Sequence, residues 1–455
     1  MGSCACAAAS DAAREREFRS RYVLGDKIGC GAFGQVRLAN ESGGRSRGEA
    51  KRTFAVKIVD ARAGSRSGSS AQKPKRLDSE VLKLMSNEVG CWTRIGHQEH
   101  CVQLFEAFCF HGRAFLVMEL CQDTVLQRLE KLPGMQETDL ANIFRQMALG
   151  ISAVHEASVV HRDIKPDNFM WGGEDGETLK LCDFGLACRV GKSGKLFGEY
   201  GTPPYMSPEM VSLHGQHSYP TDVWSFGATA YLMLYGEFPH MPTPCTPAFM
   251  KRAIRTGSPA PRYCRGSRGS RQPSEVAAAF VEAMLQRDAG ARPIAKNIPF
   301  MPLIAEAHKA PAVDEEATLP PAAEEHSEEG ELIEVVRRAR KNTHQFKRPV
   351  DPTVQRTLDE VLQQYWEGEN PYCRSVSDGD KNGTKRTTSL SGRSNSRLST
   401  HTGIILRHKA WEDATPSPPT RAPASFVRED TDSTGTPDTP CILVMAGEAD
   451  EVHPI

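Results

Sequence analysis

Two short motifs, of which the second begins fifteen residues after the last residue of the first, constrain this chain more than any other feature. The first is His-Arg-Asp-Ile-Lys-Pro-Asp-Asn at 161–168, and the second is Asp-Phe-Gly at 183–185. Two carboxylates and an amide at this spacing can orient a hydroxyl nucleophile and hold a divalent metal, because Mg²⁺ prefers oxygen ligands and bridges phosphate oxygens. The pattern therefore indicates phosphoryl transfer, which depends on positioning and on neutralising charge.

A glycine-rich turn lies upstream, between two strand patterns, and contains Gly29, Gly31 and Gly34. Small residues let backbone N–H groups approach a phosphate chain, although a tight hairpin would use the same glycines. A dinucleotide-binding loop would lead into a helix, whereas strand residues follow here. The next strand carries Lys57, at a distance where a sheet could direct its ammonium group to the same phosphates.

Taken in order, these motifs resemble the eukaryotic protein kinase family over residues 22–305. The resemblance implies a bilobal α+β fold, with a small β-rich N-lobe that contains one major helix (αC) and a larger helical C-lobe. It also implies transfer of the γ-phosphate of ATP to a protein substrate, with Mg²⁺ as cofactor. The competing interpretation is a pseudokinase or scaffold that acts as a binding module. The intact set of Lys57, Asp163, Asn168 and Asp183 argues against a scaffold, which has no need of all four.

The resemblance assigns a role to each motif residue. Asp163 is expected to be the catalytic base, and Lys165 to contact the γ-phosphate. Asn168 and Asp183 would hold Mg²⁺, whereas Lys57 would hold the α- and β-phosphates.

The acid that pairs with Lys57 is expected on a helix over 77–95, where Glu80 and Glu88 are alternatives. The spacing to the following strand favours Glu88. A long basic loop before the helix departs from the family pattern and blurs the alignment.

The segment Met118–Cys121 resembles the gatekeeper and hinge of the nucleotide pocket, where backbone groups of Glu119 and Cys121 would meet adenine. Apolar side chains would sandwich the ring, although the same residues also fit an ordinary core. The expected ATP-binding positions are Ile28, Gly29, Gly31, Gly34, Val36, Ala55, Lys57, Met118, Glu119, Cys121 and Met170.

Two features resemble serine/threonine kinases rather than tyrosine kinases. They are Lys165, two residues after Asp163, and Gly-Thr-Pro-Pro-Tyr at 201–205. The segment 179–187 is most like the calcium/calmodulin-dependent and calcium-dependent protein kinase group.

Three further positions match the family in the C-terminal half of the domain. Ser207-Pro208-Glu209 resembles its Ala-Pro-Glu motif, and the resemblance implies that Arg292 pairs with Glu209. It also implies that Asp222 supports the catalytic loop.

Arg162 belongs to a position that is often paired with a phosphorylated residue in this family. Counting back from the Ala-Pro-Glu-like motif, that residue falls near Gly198, which has no hydroxyl. Glu199 could supply a fixed negative charge instead, or Ser193 could be the phosphorylated residue. We therefore expect the chain to be active without phosphorylation, by another kinase, of the loop that contains Ser193, Gly198 and Glu199.

Composition limits the environment and the partners. With 56 Lys+Arg against 57 Asp+Glu, the net charge of −1 gives no argument for nucleic acid as a partner. The 13 cysteines lack metal-ligand spacing, which favours free thiols in a reducing compartment and a cytoplasmic location. The sequence contains no run of 18 apolar residues, so it predicts no transmembrane helix.

Residues 1–21 are predicted to form an N-terminal leader. Gly2 and the small residues after it resemble an N-myristoylation signal, although Cys6 stands where Ser or Thr is usual. Palmitoylation of Cys4 and Cys6 would add further chains, and two acyl chains anchor a protein stably. The sequence thus predicts peripheral membrane attachment, with an unstructured Ala-rich leader as the alternative.

Residues 306–455 are predicted to be a mostly disordered regulatory tail, with helices near 329–341 and 351–366. The stretch 332–346 resembles a basic amphipathic calmodulin target or a pseudosubstrate; a solvated helix or an intrachain partner is the alternative. The segment 378–389 imitates the start of an EF-hand loop, but Ser389 stands where the twelfth position needs Glu. We therefore expect no calcium sensor there.

Overall fold

The computed structural model describes residues 2–30, 34–42, 52–61, 79–132, 135–263, 272–307 and 326–347. All of these residues belong to one compact unit. Gly31, most of the predicted tail and its predicted helix over 351–366 lie outside the described residues, and so does the 378–389 segment.

Five antiparallel strands form the smaller lobe, in the spatial order β1-β2-β3-β5-β4. Side chains alternate between the two faces of a strand, and β3 buries both of its faces. Phe54, Val56 and Ile58 pack in an aromatic cluster on one face, while Val59 joins the main core on the other. The strands are β1 (Tyr22–Cys30), β2 (Gly34–Glu41), β3 (Thr53–Asp60), β4 (Leu104–Phe110) and β5 (Arg113–Glu119).

An N-terminal helix, α1 (Gly2–Arg21), packs on the aromatic face of this sheet. Phe18 is fully buried there, with its ring centroid 5.3 Å from that of Phe108 and 4.9 Å from that of Phe115. The backbone N–H of His111 donates to Asp11 at 2.9 Å. The sequence predicts only a leader over 1–21, whereas the second half of this segment contributes to the packing of the N-lobe.

The long helix of the N-lobe is α2 (Ser79–Ile95), which lies between the sheet and the Phe184–Leu186 turn. Its apolar side chains recur at helical spacing, and Val81, Leu82, Met85, Val89 and Trp92 are buried. The polar residue Glu88 is also buried, which requires a charged partner.

Helices dominate the larger lobe, and α5 lies at its centre with nearly every residue buried. This lobe also contains two short antiparallel strand pairs, β6 with β9 and β7 with β8. The helices are α3 (Val125–Leu129), α4 (Glu137–Glu156), α5 (Pro220–Tyr235), α6 (Pro247–Thr256), α7 (Glu275–Met284) and α8 (Pro302–Ala307). The strands are β6 (Val159–Val160), β7 (Phe169–Gly172), β8 (Thr178–Leu181) and β9 (Cys188–Arg189).

A last described helix, α9 (His326–His344), covers the predicted 329–341 segment and packs against α5 and α3. Leu332, Val335, Val336 and Ala339 are buried in this contact, so the stretch is not a solvated helix. Three polar contacts reinforce it: Arg340 pairs with Glu130, Asn342 donates to the carbonyl of Gly236 at 2.8 Å, and Lys347 lies 3.1 Å from Asp167.

The architecture is therefore the bilobal α+β fold that the resemblance implies, with a sheet-rich N-lobe and a helical C-lobe. Among the helices described, none is both long enough and apolar enough to span a membrane.

Candidate active site

Backbone pairing brings the two sequence motifs together. β6 leads into residues 161–168, and β9 pairs with it through Val160 and Cys188. After the first motif, β7 pairs with β8, which leads into the Asp-Phe-Gly segment. The N–H of Cys182 donates to the carbonyl of Asn168 at 2.9 Å, so the first motif is hydrogen-bonded to the residue directly before the second.

Lys57 lies between two carboxylates that come from different parts of the chain. Its Nζ is 2.6 Å from Glu88 Oε1 and 2.9 Å from Asp183 Oδ1. Burial alone would lower the pKa of Lys57, but the two carboxylates outweigh it and raise that pKa. The ammonium group of Lys57 in turn lowers the pKa of Asp183. Lys57 is thus held protonated, and it pairs with Glu88, the alternative that the spacing favours.

Aromatic packing fixes the Asp-Phe-Gly segment against α2. The ring of Phe184 lies 5.3 Å from Trp92 and 5.4 Å from His161, measured between centroids. The amide of Asn87 also donates to the carbonyl of Ala187 at 2.6 Å. These contacts keep Asp183 on the cleft side, where its side chain is 53% exposed and directed at Lys57.

The catalytic loop (residues 161–168) forms a hydrogen-bonded cluster around Asp163. Lys165 Nζ lies 2.6 Å from Asp163 Oδ2 and donates to Thr202 Oγ1 at 3.0 Å. The Thr202 hydroxyl donates to Asp163 Oδ1 at 2.8 Å. Burial opposes the charged form of Lys165, but Asp163 outweighs burial and raises the pKa of Lys165. The cluster therefore holds a carboxylate and an ammonium group side by side at the cleft.

Asp222, at the start of α5, supports the catalytic loop through hydrogen bonds to its backbone, as the resemblance implies. Its carboxylate is fully buried and accepts the backbone N–H groups of His161 and Arg162, both at 2.8 Å. His155 Nε2 lies 2.9 Å from the same carboxylate. Although burial opposes ionisation, the hydrogen bond and charge of His155 lower the pKa of Asp222. These contacts fix the backbone immediately before Asp163.

Arg292 and Glu209 form a two-pronged ion pair, which the resemblance also implies. Two guanidinium nitrogens donate to the two carboxylate oxygens, each at 2.8 Å. The Arg292 side chain is fully buried and also donates to the carbonyls of Pro220 and Gln286. The pair joins the end of the activation segment (residues 187–209) to the C-lobe.

Strand register brings Val36, Ala55, Lys57 and Met118 to one face of the N-lobe sheet. Val36 lies opposite Lys57, and Ala55 lies opposite Met118. Gly34 approaches β3 so closely that a Cβ there would lie 2.1 Å from the carbonyl oxygen of Ile58. The close approach at this position therefore requires glycine. Ile28 and Gly29 are on β1, Glu119 ends β5, Cys121 follows it, and Met170 is on β7.

Two observations fit ATP and Mg²⁺ to these residues. The backbone N–H of Cys121 donates to no acceptor within the described part of the chain, which leaves a donor at the hinge. The side-chain nitrogen of Asn168 donates to the carbonyl of Asp163 at 2.8 Å, so its side-chain oxygen remains available for a metal ion. Where side chains are described, no group of three or more His, Cys, Asp or Glu could hold a metal alone. A two-residue oxygen set suits Mg²⁺ that also binds phosphate oxygens.

The activation segment differs from the expectation for Arg162. Glu199 does not pair with it; instead Glu199 lies 2.5 Å from Lys251 on α6. The guanidinium carbon of Arg162 lies 3.9 Å from the centroid of the Tyr200 ring. Sequence reasoning missed Tyr200, because no motif links it to Arg162.

Fold and site together define a protein kinase domain, and comparison with known proteins agrees. The family model described as protein kinase domain matches residues 22–304. The chain therefore belongs to the protein kinase family.

Its relatives include kinases of plants and animals. It is 33% identical over 227 residues to serine/threonine-protein kinase PEPKR2 of Arabidopsis thaliana, a match that covers 50% of this chain and 42% of the relative. It is 32% identical over 221 residues to calcium/calmodulin-dependent protein kinase type 1 of Macrobrachium nipponense, covering 48% and 58%. CDPK-related kinase 8 of Arabidopsis thaliana is 31% identical over 230 residues, covering 49% and 35%.

These similarities confirm the resemblance to the calcium/calmodulin-dependent and calcium-dependent group. The chain spans less than two thirds of the length of each of these relatives.

Proposed function

We propose that this chain is a serine/threonine protein kinase, which transfers the γ-phosphate of ATP to Ser or Thr hydroxyls of protein substrates. The observation that carries the proposal is the complete Lys57–Glu88–Asp183 ion-pair cluster beside the Asp163–Lys165–Thr202 cluster. A binding module has no need of two charged clusters that meet at one cleft, because buried and half-buried charges are costly to arrange.

Each residue has a defined part in this transfer. The substrate hydroxyl oxygen forms a bond to the γ-phosphorus while the bond to the bridging oxygen of ADP breaks. Asp163 orients that hydroxyl and accepts its proton. Lys57 and Lys165 lie where their positive charges can stabilise the phosphates, and Thr202 holds the Asp163 carboxylate in place.

Asn168 and Asp183 would hold Mg²⁺, which when bound would neutralise the negative charge of the phosphates. The glycine-containing β1–β2 hairpin would cover the phosphates. The free N–H of Cys121 would donate to the adenine ring.

The test compares phosphate transfer by the full chain and by Asp163→Asn on a library of Ser- and Thr-containing peptides. We expect the wild-type chain to phosphorylate a subset of the library, and Asp163→Asn to lose at least a hundredfold in kcat/KM. Asp26→Asn, a matched change on an exposed residue of β1, should leave transfer unchanged. Equal activity of wild type and Asp163→Asn would favour the binding module instead, and the peptide pattern would define the substrate class.

We also propose that the N-terminal segment attaches the kinase to membranes through acyl groups on Gly2, Cys4 and Cys6. The support is the sequence pattern, together with the docking of α1 on the N-lobe through Phe18. Gly2 lies about 24 Å along a helix from Phe18, at a rise of about 1.5 Å per residue. Labelling of cells with an alkyne myristate analogue should mark the wild-type chain and not Gly2→Ala, and Gly2→Ala should move to the cytosolic fraction. Labelling of neither chain would contradict the proposal.

Segment 332–346 is proposed to bind calmodulin in competition with the C-lobe. The support is its basic helical pattern, the similarity of the chain to calcium/calmodulin-dependent protein kinase type 1, and the fact that its apolar face is buried on α5 and α3. Calcium-loaded calmodulin would have to release this face before binding it. Calorimetry with the full chain should detect calcium-dependent binding that Leu332→Asp abolishes. If the wild-type chain binds no calmodulin, this proposal is wrong, and the contact with the C-lobe is what remains for this segment.

A further inference from the structure

The contact between Arg162 and Tyr200 has the geometry of a cation–π interaction. The guanidinium carbon lies 3.9 Å from the ring centroid, well within the 6 Å over which such contacts are attractive. No carboxylate among the residues that the structure describes forms an ion pair with Arg162. The positive charge directly before Asp163 therefore meets an aromatic face rather than an anion.

Other contacts of Arg162 fix it in this position. Its Nε donates to the carbonyl of Leu186 at 2.7 Å, and its backbone N–H donates to Asp222 at 2.8 Å. Arg162 thus contacts both α5 and the residue that directly follows the Asp-Phe-Gly motif. Through the Tyr200 ring, it also contacts the activation segment.

Gly198 lies near the position expected for the family's phosphorylated residue, and its backbone conformation and the Tyr200 ring disfavour a side chain there. Its φ is +96°, and a Cβ would lie 2.8 Å from Cε2 of Tyr200. Neither a hydroxyl residue nor its phosphate fits at 198 while the Tyr200 ring occupies this space. The acid next to it, Glu199, is already paired with Lys251.

The same short stretch leads directly into the catalytic cluster. Gly201 has φ +100°, and a Cβ there would lie 2.4 Å from the carbonyl oxygen of Arg162, so the two loops touch along their backbones. One residue later, the Thr202 hydroxyl donates to Asp163 at 2.8 Å. Placement of Tyr200 therefore affects the placement of Thr202 and, through it, Asp163.

We infer that Tyr200 is a positioning residue that replaces activation-segment phosphorylation: its ring face attracts the Arg162 guanidinium and holds the segment so that Thr202 meets Asp163. This inference rests on the proposed kinase activity. It adds to that proposal the residue that makes phosphorylation of the loop unnecessary.

The experiment uses the full chain after phosphatase treatment, with mass spectrometry to verify that residues 187–209 carry no phosphate. Tyr200→Leu, which keeps apolar bulk without the aromatic face, and Arg162→Ala should each lower kcat/KM about tenfold, with KM for ATP unchanged. Tyr200→Phe keeps the ring and should retain most of the wild-type activity. Ser193→Ala is the matched control on the exposed part of the loop, and it should behave as wild type.

A double-mutant cycle separates a specific contact from general packing. If the two side chains act through each other, Arg162→Ala with Tyr200→Leu should be no worse than either single variant. Additive losses, full activity of Tyr200→Leu, or loss of wild-type activity on phosphatase treatment would each overturn the inference.

A second readout does not depend on activity. Amide hydrogen exchange over 196–205 should be faster in Tyr200→Leu than in Tyr200→Phe, with the rest of the C-lobe unchanged. Equal exchange in both variants would also overturn the inference. By contrast, a wild-type chain with no phosphate transfer, yet with this exchange difference, would contradict the proposed function and leave the contact established.

Discussion

Lys57 Nζ lies 2.6 Å from Glu88 Oε1, and this contact joins β3 of the sheet to the buried face of α2. Glu88 is almost completely buried, so the ion pair is screened little by solvent. The contact sets the position of Lys57 and, through the 2.9 Å contact with Asp183, the position of the carboxylate proposed to hold Mg²⁺.

Glu88→Gln should therefore lower kcat/KM for phosphate transfer about a hundredfold, because it leaves Lys57 beside a neutral amide in a buried site. Glu80→Gln tests the alternative that the sequence left open, and it should leave transfer close to wild type. Steady-state kinetics on one peptide substrate measure both. The assignment would be wrong if Glu80→Gln were the more damaging change.

The ion-pair residues could be predicted from sequence because they lie in motifs with characteristic local spacing. The fold follows for a related reason: Ala55, Lys57 and Met118 belong to strand patterns that fix which face they occupy. Within such patterns, the position of a residue along the strand determines the face of the sheet on which its side chain lies.

The contacts of Tyr200 and Lys347 could not be predicted in this way. Tyr200 meets Arg162, and Lys347 meets Asp167, across long stretches of chain with no shared period. Docking of α1 is hidden for another reason. Phe18 is the only aromatic residue before Tyr22, and a single aromatic residue produces no amphipathic pattern.

Phe18→Ala tests this docking. Removal of a fully buried phenyl ring costs about 3–5 kcal/mol, part of which the sheet recovers if α1 detaches as a unit. We expect hydrogen exchange in residues 10–21 to become fast, and the urea midpoint of the whole domain to fall. Arg16→Ala, on the exposed face of α1, is the control and should change neither quantity. Slow exchange in Phe18→Ala would show that α1 is held by its polar contacts instead.

Arg292 offers a test of the C-lobe. Its guanidinium group is fully buried and donates to both oxygens of Glu209, so Arg292→Met leaves a carboxylate without its partner. The free energy of unfolding should fall by about 3–5 kcal/mol, as measured by urea denaturation. Arg337→Met removes an exposed residue whose ion pair with Glu334 has a distance of 3.8 Å, and it should cost less than about 1 kcal/mol. Equal losses in the two variants would contradict this account of the buried pair.

Asp222 predicts a pH dependence of stability. Its folded-state pKa is lowered, whereas an unfolded Asp has a pKa of about 3.9. A lowered pKa means that the stabilisation is complete above about pH 4 and is lost as pH falls through the folded-state value. Asp222→Asn should therefore be less stable than wild type by about 3 kcal/mol between pH 5 and pH 8, with the gap narrowing below about pH 4. Urea denaturation across that range measures the gap, with Asp175→Asn as an exposed control; a gap that widens with acid would show the opposite sign.

The docking of α9 leads to the last prediction. Val336 is fully buried against the C-lobe, and Lys347 at the end of the same segment lies 3.1 Å from Asp167 in the catalytic loop. Val336→Asp would bury an unpaired carboxylate, which costs more than the contact can supply, so the helix should detach. Exchange of α9 amides should then accelerate at least tenfold, and trypsin should cut after Arg338 and Arg340 much faster than in wild type. Arg337→Asp introduces the same side chain one residue later, on the exposed face, and should leave exchange and cleavage unchanged. Protected amides in Val336→Asp would mean that Arg340, Asn342 and Lys347 suffice to hold α9 without its apolar face.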